Sequence, residues 1–200
     1  HAVRGVHDLE RLVGRVALGN AGPRDLVALK ASLRHVPQVR AAVAGCRAPL
    51  LVSLCARLDE VAEIHGEIGR ALIDEPPALA RDGGFTRDGF DDALDALRTV
   101  SRSGRQTIAA MEEEERARTG ITSLKVRFNS VFGYYIEVTH THTSKVPPDY
   151  QRKQTLKNAE RYITAELKEQ EEKVLTAQDK LEKREYELFL KLRDEVCSHA

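Results

Sequence analysis

The sequence predicts a mainly α fold with a small inserted antiparallel β module: a helical core, two long antiparallel helices, and four short strands at their tip. Three observations carry this. Apolar residues recur at helical spacings over residues 9–118. Between residues 124 and 163 the period falls to about two, and aromatic and β-branched residues appear. From residue 164 a helical pattern returns, with leucine or valine at every seventh position. The interruption divides the chain into residues 1–118 (helical core and first long helix), 119–165 (β module) and 166–200 (second long helix).

Asp8 is placed to cap a first helix bearing Leu9, Leu12, Val13 and Val16, which Gly19 stops. Pro23 fits the first turn of a second helix, where its missing N–H costs nothing. Asp25 and the stripe Leu26, Leu29, Leu33 and Val36 follow, and Pro37 is expected to end this helix. A third, longer helix is predicted from about Pro49, with Leu54, Leu58, Val61, Ile68 and Leu72 spaced three, four or seven apart, until Pro76 and Pro77 break it. Such stripes need partners, so this half reads as a scaffold core. Residues 82–89, rich in glycine and aspartate, form a connection and a candidate hinge. Residues 90–118 then read as one long helix whose positions 94, 97, 101, 104, 108 and 111 are Leu, Leu, Ser, Gly, Ile and Met. Ser101 and Gly104 leave room for close approach of another backbone. Glu112, Glu113, Glu114 and Glu115 read as a solvated face, because consecutive carboxylates on a helix point in different directions. Gly120 closes the helix.

Leu124, Val126 and Phe128 alternate with Lys125 and Arg127, describing a strand with one apolar and one basic face. Asn129 and Ser130 make the turn into a second strand over residues 131–139, in which Gly133 marks a bulge or a close backbone approach. Residues 146–149, with two prolines, are a loop; residues 150–156 form a third strand; Lys157 and Asn158 lie at a turn; a short fourth strand surrounds residues 161–163. Thr164 caps the last helix, which runs to about residue 196. Its Leu167, Val174, Leu181 and Leu188 recur every seven residues, but the seam positions between them, Glu171, Gln178 and Glu185, are polar, so only a narrow stripe is expected to be buried. The natural partner is the helix at residues 90–118, each helix being on the order of 40 Å long.

The 31 cations and 31 anions cancel, so no whole-chain field marks a polyanion partner and any basic patch is local. Such a patch exists: residues 121–165 carry seven cations against three anions. Three cysteines without a CxxC pair argue against a disulfide framework or a thiolate zinc site and fit a reducing cytosol. No apolar run reaches the roughly 18 residues of a membrane span. The chain starts at His1 without a methionine, which reads as an excised fragment.

Phosphate contacts need only charge and N–H or amide donors, and Arg152, Lys153, Gln154, Thr155, Lys157 and Asn158 supply them within seven residues. The plainer alternative is a basic face that keeps an exposed sheet in solution. Tyr134, Tyr135, Tyr150 and Tyr162 are assigned to packing in a small sheet rather than to base stacking. His140 and His142, one residue apart on a strand face, make a weak metal signal, and an exposed pair is the favoured reading.

The stretch GYYIEVT followed by RKQTLKNAERYIT resembles the clamp segment of the MutS family of DNA mismatch-recognition proteins. ALGNAGPRDLVALKASL, GFDDALDALR and ERARTGITSLKVRFN resemble the family's core and lever segments, in the same order, so the resemblance covers nearly the whole chain. It implies levers that carry a clamp, and a clamp that closes over duplex DNA through sequence-independent backbone contacts. The LKN match carries the phosphate-contact role to Lys157 and Asn158, with Arg152, Lys153 and Thr155 as further candidates. No phenylalanine is followed by x-Glu, the family's mismatch wedge: the five begin FTR, FDD, FNS, FGY and FLK. There is no GxxxxGK[ST] phosphate loop either. The expectation is therefore a non-catalytic middle fragment, without metal or cofactor of its own, of a parent that resembles an ATPase using ATP and magnesium. By the same resemblance the parent is a cytoplasmic, nucleoid-associated homodimer that meets other mismatch-repair proteins and no membrane. The alternative is a structural helical arm, or a protein-docking module indifferent to DNA.

Overall fold

A computed structural model describes residues 5–199 as two compact units. One is built from the residues up to Asp92 and those from Glu182 on; the other is Ala93–Leu181.

In the first unit, Asp8 caps α1 (Leu9–Ala17), its carboxylate accepting from Arg11 N at 3.0 Å, and Gly19 ends the turn at φ +71°. α2 (Pro23–Leu33) opens with proline, as the sequence suggests, but Pro37 does not terminate it. The chain leaves the helix after Leu33 and restarts as α3 (Val36–Val43), with Pro37 in the first turn, where no N–H is needed. The predicted third helix is likewise two: α4 (Pro49–Arg57) and α5 (Ala62–Ala71). Between them Asp59 turns its carboxylate onto Val61 N (3.0 Å), and Val61 takes φ 46°, which a continuous helix excludes. The apolar stripe therefore splits: Ile64 and Ile68 are buried, whereas Leu50 and Leu54 on α4 are exposed.

The core of this unit joins α1, α2 and α5 to the end of α7 (Ala165–Ser198), with Phe85 against Phe189 edge to face at 5.6 Å. The glycine-rich connection is tied down rather than slack. Ile73 N donates to Phe85 O (2.9 Å), Arg87 N donates to Ala71 O (2.8 Å), and the buried Glu185 carboxylate accepts from Gly84 N (2.7 Å) and Thr86 N (2.8 Å). Arg184 grips Asp91 through two nitrogens, at 3.1 and 2.6 Å.

In the second unit, segments of α6 (Asp92–Thr119) and α7 run antiparallel, with Arg105 donating to Gln178 (2.9 Å) and Gly104 facing Val174. A Cβ at Gly104 would lie 2.5 Å from a Val174 methyl, so the small residue admits a side chain rather than a backbone. Between the helices in sequence come β1 (Lys125–Asn129), β2 (Gly133–Thr139), a 3₁₀ segment (His140–Lys145), β3 (Gln151–Thr155) and β4 (Ala159–Ile163). All pairs are antiparallel, in the order β1-β2-β4-β3, which leaves β1 and β3 as edges. Ile136, Val138 and Tyr162 pack with Ile108, Met111 and Leu167 of the helices.

Carboxylates fasten sheet to helix. Glu112 accepts from Val126 N (2.8 Å), Glu171 from Tyr134 N (2.9 Å), and Glu115 from the Tyr150 hydroxyl (2.8 Å). Two of the four glutamates expected to be a solvated face are thus structural, as are the polar seam positions Glu171 and Glu185. A strand that docks on a helix needs acceptors for its outward N–H groups, and a half-buried carboxylate is a strong one.

Candidate nucleic-acid interface

The cationic turn is produced by the β3–β4 hairpin. Thr155 pairs with Glu160, and Leu156 N donates to Ala159 O at 2.8 Å, so Lys157 and Asn158 form a two-residue link at the tip. Both are exposed, and among the described residues neither side chain makes a hydrogen bond or ion pair. His140 lies beside them: its backbone N donates to Asn158 O (3.3 Å), and its ring Nε2 is 2.9 Å from Leu156 O.

The other predicted residues follow along the edge strand. Thr155 is exposed next to the tip, and Lys153 is the extra residue of a bulge, since Arg152 pairs with Tyr162 and Gln154 with Arg161. Arg152 stands with its side chain 62% exposed and reaches Glu160 at only 3.5 Å, so its guanidinium keeps most of its donors for solvent. The structure therefore gathers Thr155, Lys157 and Asn158 at one end of the hairpin and places Lys153 and Arg152 farther up the same edge. Glu160 is held below the usual carboxylate range, chiefly by the hydrogen bond from the Tyr162 hydroxyl, with burial opposing and the charges of Arg152 and His140 assisting.

A second group of cations occupies the opposite face. Arg161 lies over the Tyr135 ring at 4.3 Å, donates to Gln154 (2.9 Å) and approaches Glu137 (3.5 Å), which also meets Arg127 at 3.7 Å. Both arginines are directed to the shared Glu137 carboxylate, and Arg161 also to the Tyr135 ring, which their spacing in the sequence does not reveal.

The tyrosines behave as packing residues. Tyr135, Tyr150 and Tyr162 are buried, with Tyr150 and Tyr162 rings 5.6 Å apart. Within the β module, the large apolar side chains exposed among the described residues are instead Val131 and Phe132 in the β1–β2 turn and Phe128 beside it. His140 and His142 sit in the 3₁₀ segment rather than on a strand face, and the His142 ring meets the hydroxyls of Thr139 and Thr141. Among the described residues no group of three or more His, Cys, Asp or Glu is arranged to hold a metal, and no helix is long and apolar enough to cross a membrane.

A pair of antiparallel helix segments bearing a four-stranded sheet, with an exposed polar edge and a cationic tip, defines the class: a helical arm with an inserted β module. Residues 89–180 match the model of MutS family domain IV. The chain is 54% identical over 196 residues to the DNA mismatch repair protein MutS of Methanothrix thermoacetophila, covering 97% of the chain and 23% of that protein. It is 49% identical to the same-named protein of Brevibacillus brevis (97% and 23%) and 48% identical to that of Methanosarcina mazei (98% and 22%). The chain belongs to the MutS family, and it spans a little under a quarter of the length of these curated relatives.

Proposed function

We propose that this chain is the lever and clamp portion of a DNA mismatch repair protein and that it holds duplex DNA through sequence-independent phosphate contacts. The observation that supports this most directly is the hairpin tip, where Lys157 and Asn158 stand exposed and uncommitted, continued by Thr155, Lys153 and Arg152 along an open strand edge. Ammonium, amide and guanidinium groups in a row suit a phosphate backbone and carry no base code.

In the parent, which we take to be a cytoplasmic homodimer associated with the nucleoid and with other repair proteins, two such arms embrace the duplex. Mismatch recognition and the use of ATP with magnesium belong to other parts of that protein, and this portion is not an enzyme. One clamp neutralises few phosphates, so its own affinity is weak and falls steeply with salt.

The test is fluorescence anisotropy of labelled matched and mismatched duplexes titrated with the chain at several salt concentrations. Equal weak binding to both duplexes is expected, with the salt slope reduced by about 0.9 in Lys157→Ala. No binding at low salt, or an unchanged slope, would refute the assignment and leave a structural arm or a protein-docking module.

A further inference from the structure

We propose that His140 is the positioning residue of the β3–β4 turn, fixing the angle at which Lys157 and Asn158 meet a phosphate backbone; this rests on the DNA-holding function proposed above. The link is short, exposed and without glycine, and it is closed on its own side only by Leu156 N to Ala159 O. From outside the hairpin, one residue fastens both carbonyls that flank Lys157. The backbone N of His140 donates to Asn158 O (3.3 Å), and ring Nε2 meets Leu156 O at 2.9 Å.

A carbonyl only accepts, so Nε2 carries the proton of this bond, and the imidazole acts as a donor in either its neutral or its charged form. His140 is itself fixed, since Thr143 Oγ1 donates to its carbonyl at 3.0 Å as the 3₁₀ segment begins. The two histidines of the HTH run thus have separate tasks: His142 is engaged by threonine hydroxyls, and His140 braces the tip. An ammonium group gains most from a phosphate when its backbone is already set, because no ordering is then needed on binding.

The experiment uses the whole chain with His140→Ala, His140→Gln and Lys157→Ala, read by duplex anisotropy at several salt concentrations and by amide exchange at Leu156. Alanine should weaken binding about fivefold, the equivalent of one ordinary hydrogen bond, and speed exchange at Leu156. Glutamine, whose side-chain amide reaches the same carbonyl, should restore both. If Lys157→Ala weakens binding while His140→Ala changes neither affinity nor exchange, the positioning role is overturned and the DNA-holding function stands. If Lys157→Ala is silent, the DNA-holding function fails, and this inference with it. Should the alanine variant lose helix content by circular dichroism, His140→Asn replaces it. Its amide is one methylene short of Leu156, so it should bind more weakly than glutamine, and equal affinities would overturn the role.

Discussion

Gly133 is the position where one added methyl group should do the most damage to the β module. Its φ is +75°, and a Cβ there would lie 1.5 Å from Glu171 Oε1 and 2.6 Å from Glu171 Cδ. Gly133→Ala meets two separate penalties. The left-handed backbone costs an alanine about 1.5 kcal/mol. Expelling the Glu171 carboxylate strips Tyr134 N of its 2.9 Å acceptor, at about 2 kcal/mol for an unsatisfied half-buried donor. The total is about 3.5 kcal/mol. Glu171→Ala alone should cost about 2 kcal/mol, because it removes the same acceptor. The double variant keeps the backbone strain and loses that acceptor only once, so it should again cost about 3.5 rather than the additive 5.5 kcal/mol, a coupling of about 2. Urea unfolding followed by tyrosine fluorescence suits the test: there is no tryptophan, and four of the five tyrosines, at positions 134, 135, 150 and 162, lie in this unit. Additive losses, or a Gly133→Ala variant as stable as the parent chain, would refute the reasoning.

Glu185→Ala should destabilise the first unit by about 3 kcal/mol, because two backbone donors lose a charged acceptor at once. Amide exchange at Gly84 and Thr86 should quicken, and unchanged protection there would show that the loop is held by other means. Tyr162 has its pKa pushed up to about 12, first by burial and then by its hydrogen bond to Glu160. A raised folded-state pKa gives stability that is complete below the ordinary tyrosine value of about 10 and is lost as pH rises toward 12. The urea midpoint should therefore fall between those values, and less steeply in Tyr162→Phe; an identical fall in that variant would remove Tyr162 as a cause.

The parts legible in the sequence were those with local causes. Asp8 and Thr164 cap their helices, Gly19 and Gly120 stop theirs, and the change of period at Leu124 marks the β module. What escaped depended on partners distant in the chain. Glu112 reads as surface, and Glu171 and Glu185 as polar gaps in the apolar seam of their helix; only the arrival of Val126, Tyr134 and Thr86 gives these carboxylates backbone donors to hold. The break at Val61 was hidden because a side chain two residues earlier, Asp59, outcompetes a helix that the leucine spacing favours. At the candidate site, the residues of the tip were readable as donors at a turn, whereas the brace supplied by His140 arises from strand register across 16 residues and leaves no local signal.

The bulge at Lys153 also bears on solubility. An open strand edge is a template on which another copy can add its own strand, and the products of such pairing are aggregates. On β3 the ladder is broken at Lys153, and Arg152 stands beside it, so an approaching strand meets a displaced backbone and two like charges. The same displaced backbone and paired charges that make this edge a poor template for a second strand keep its donors open to solvent.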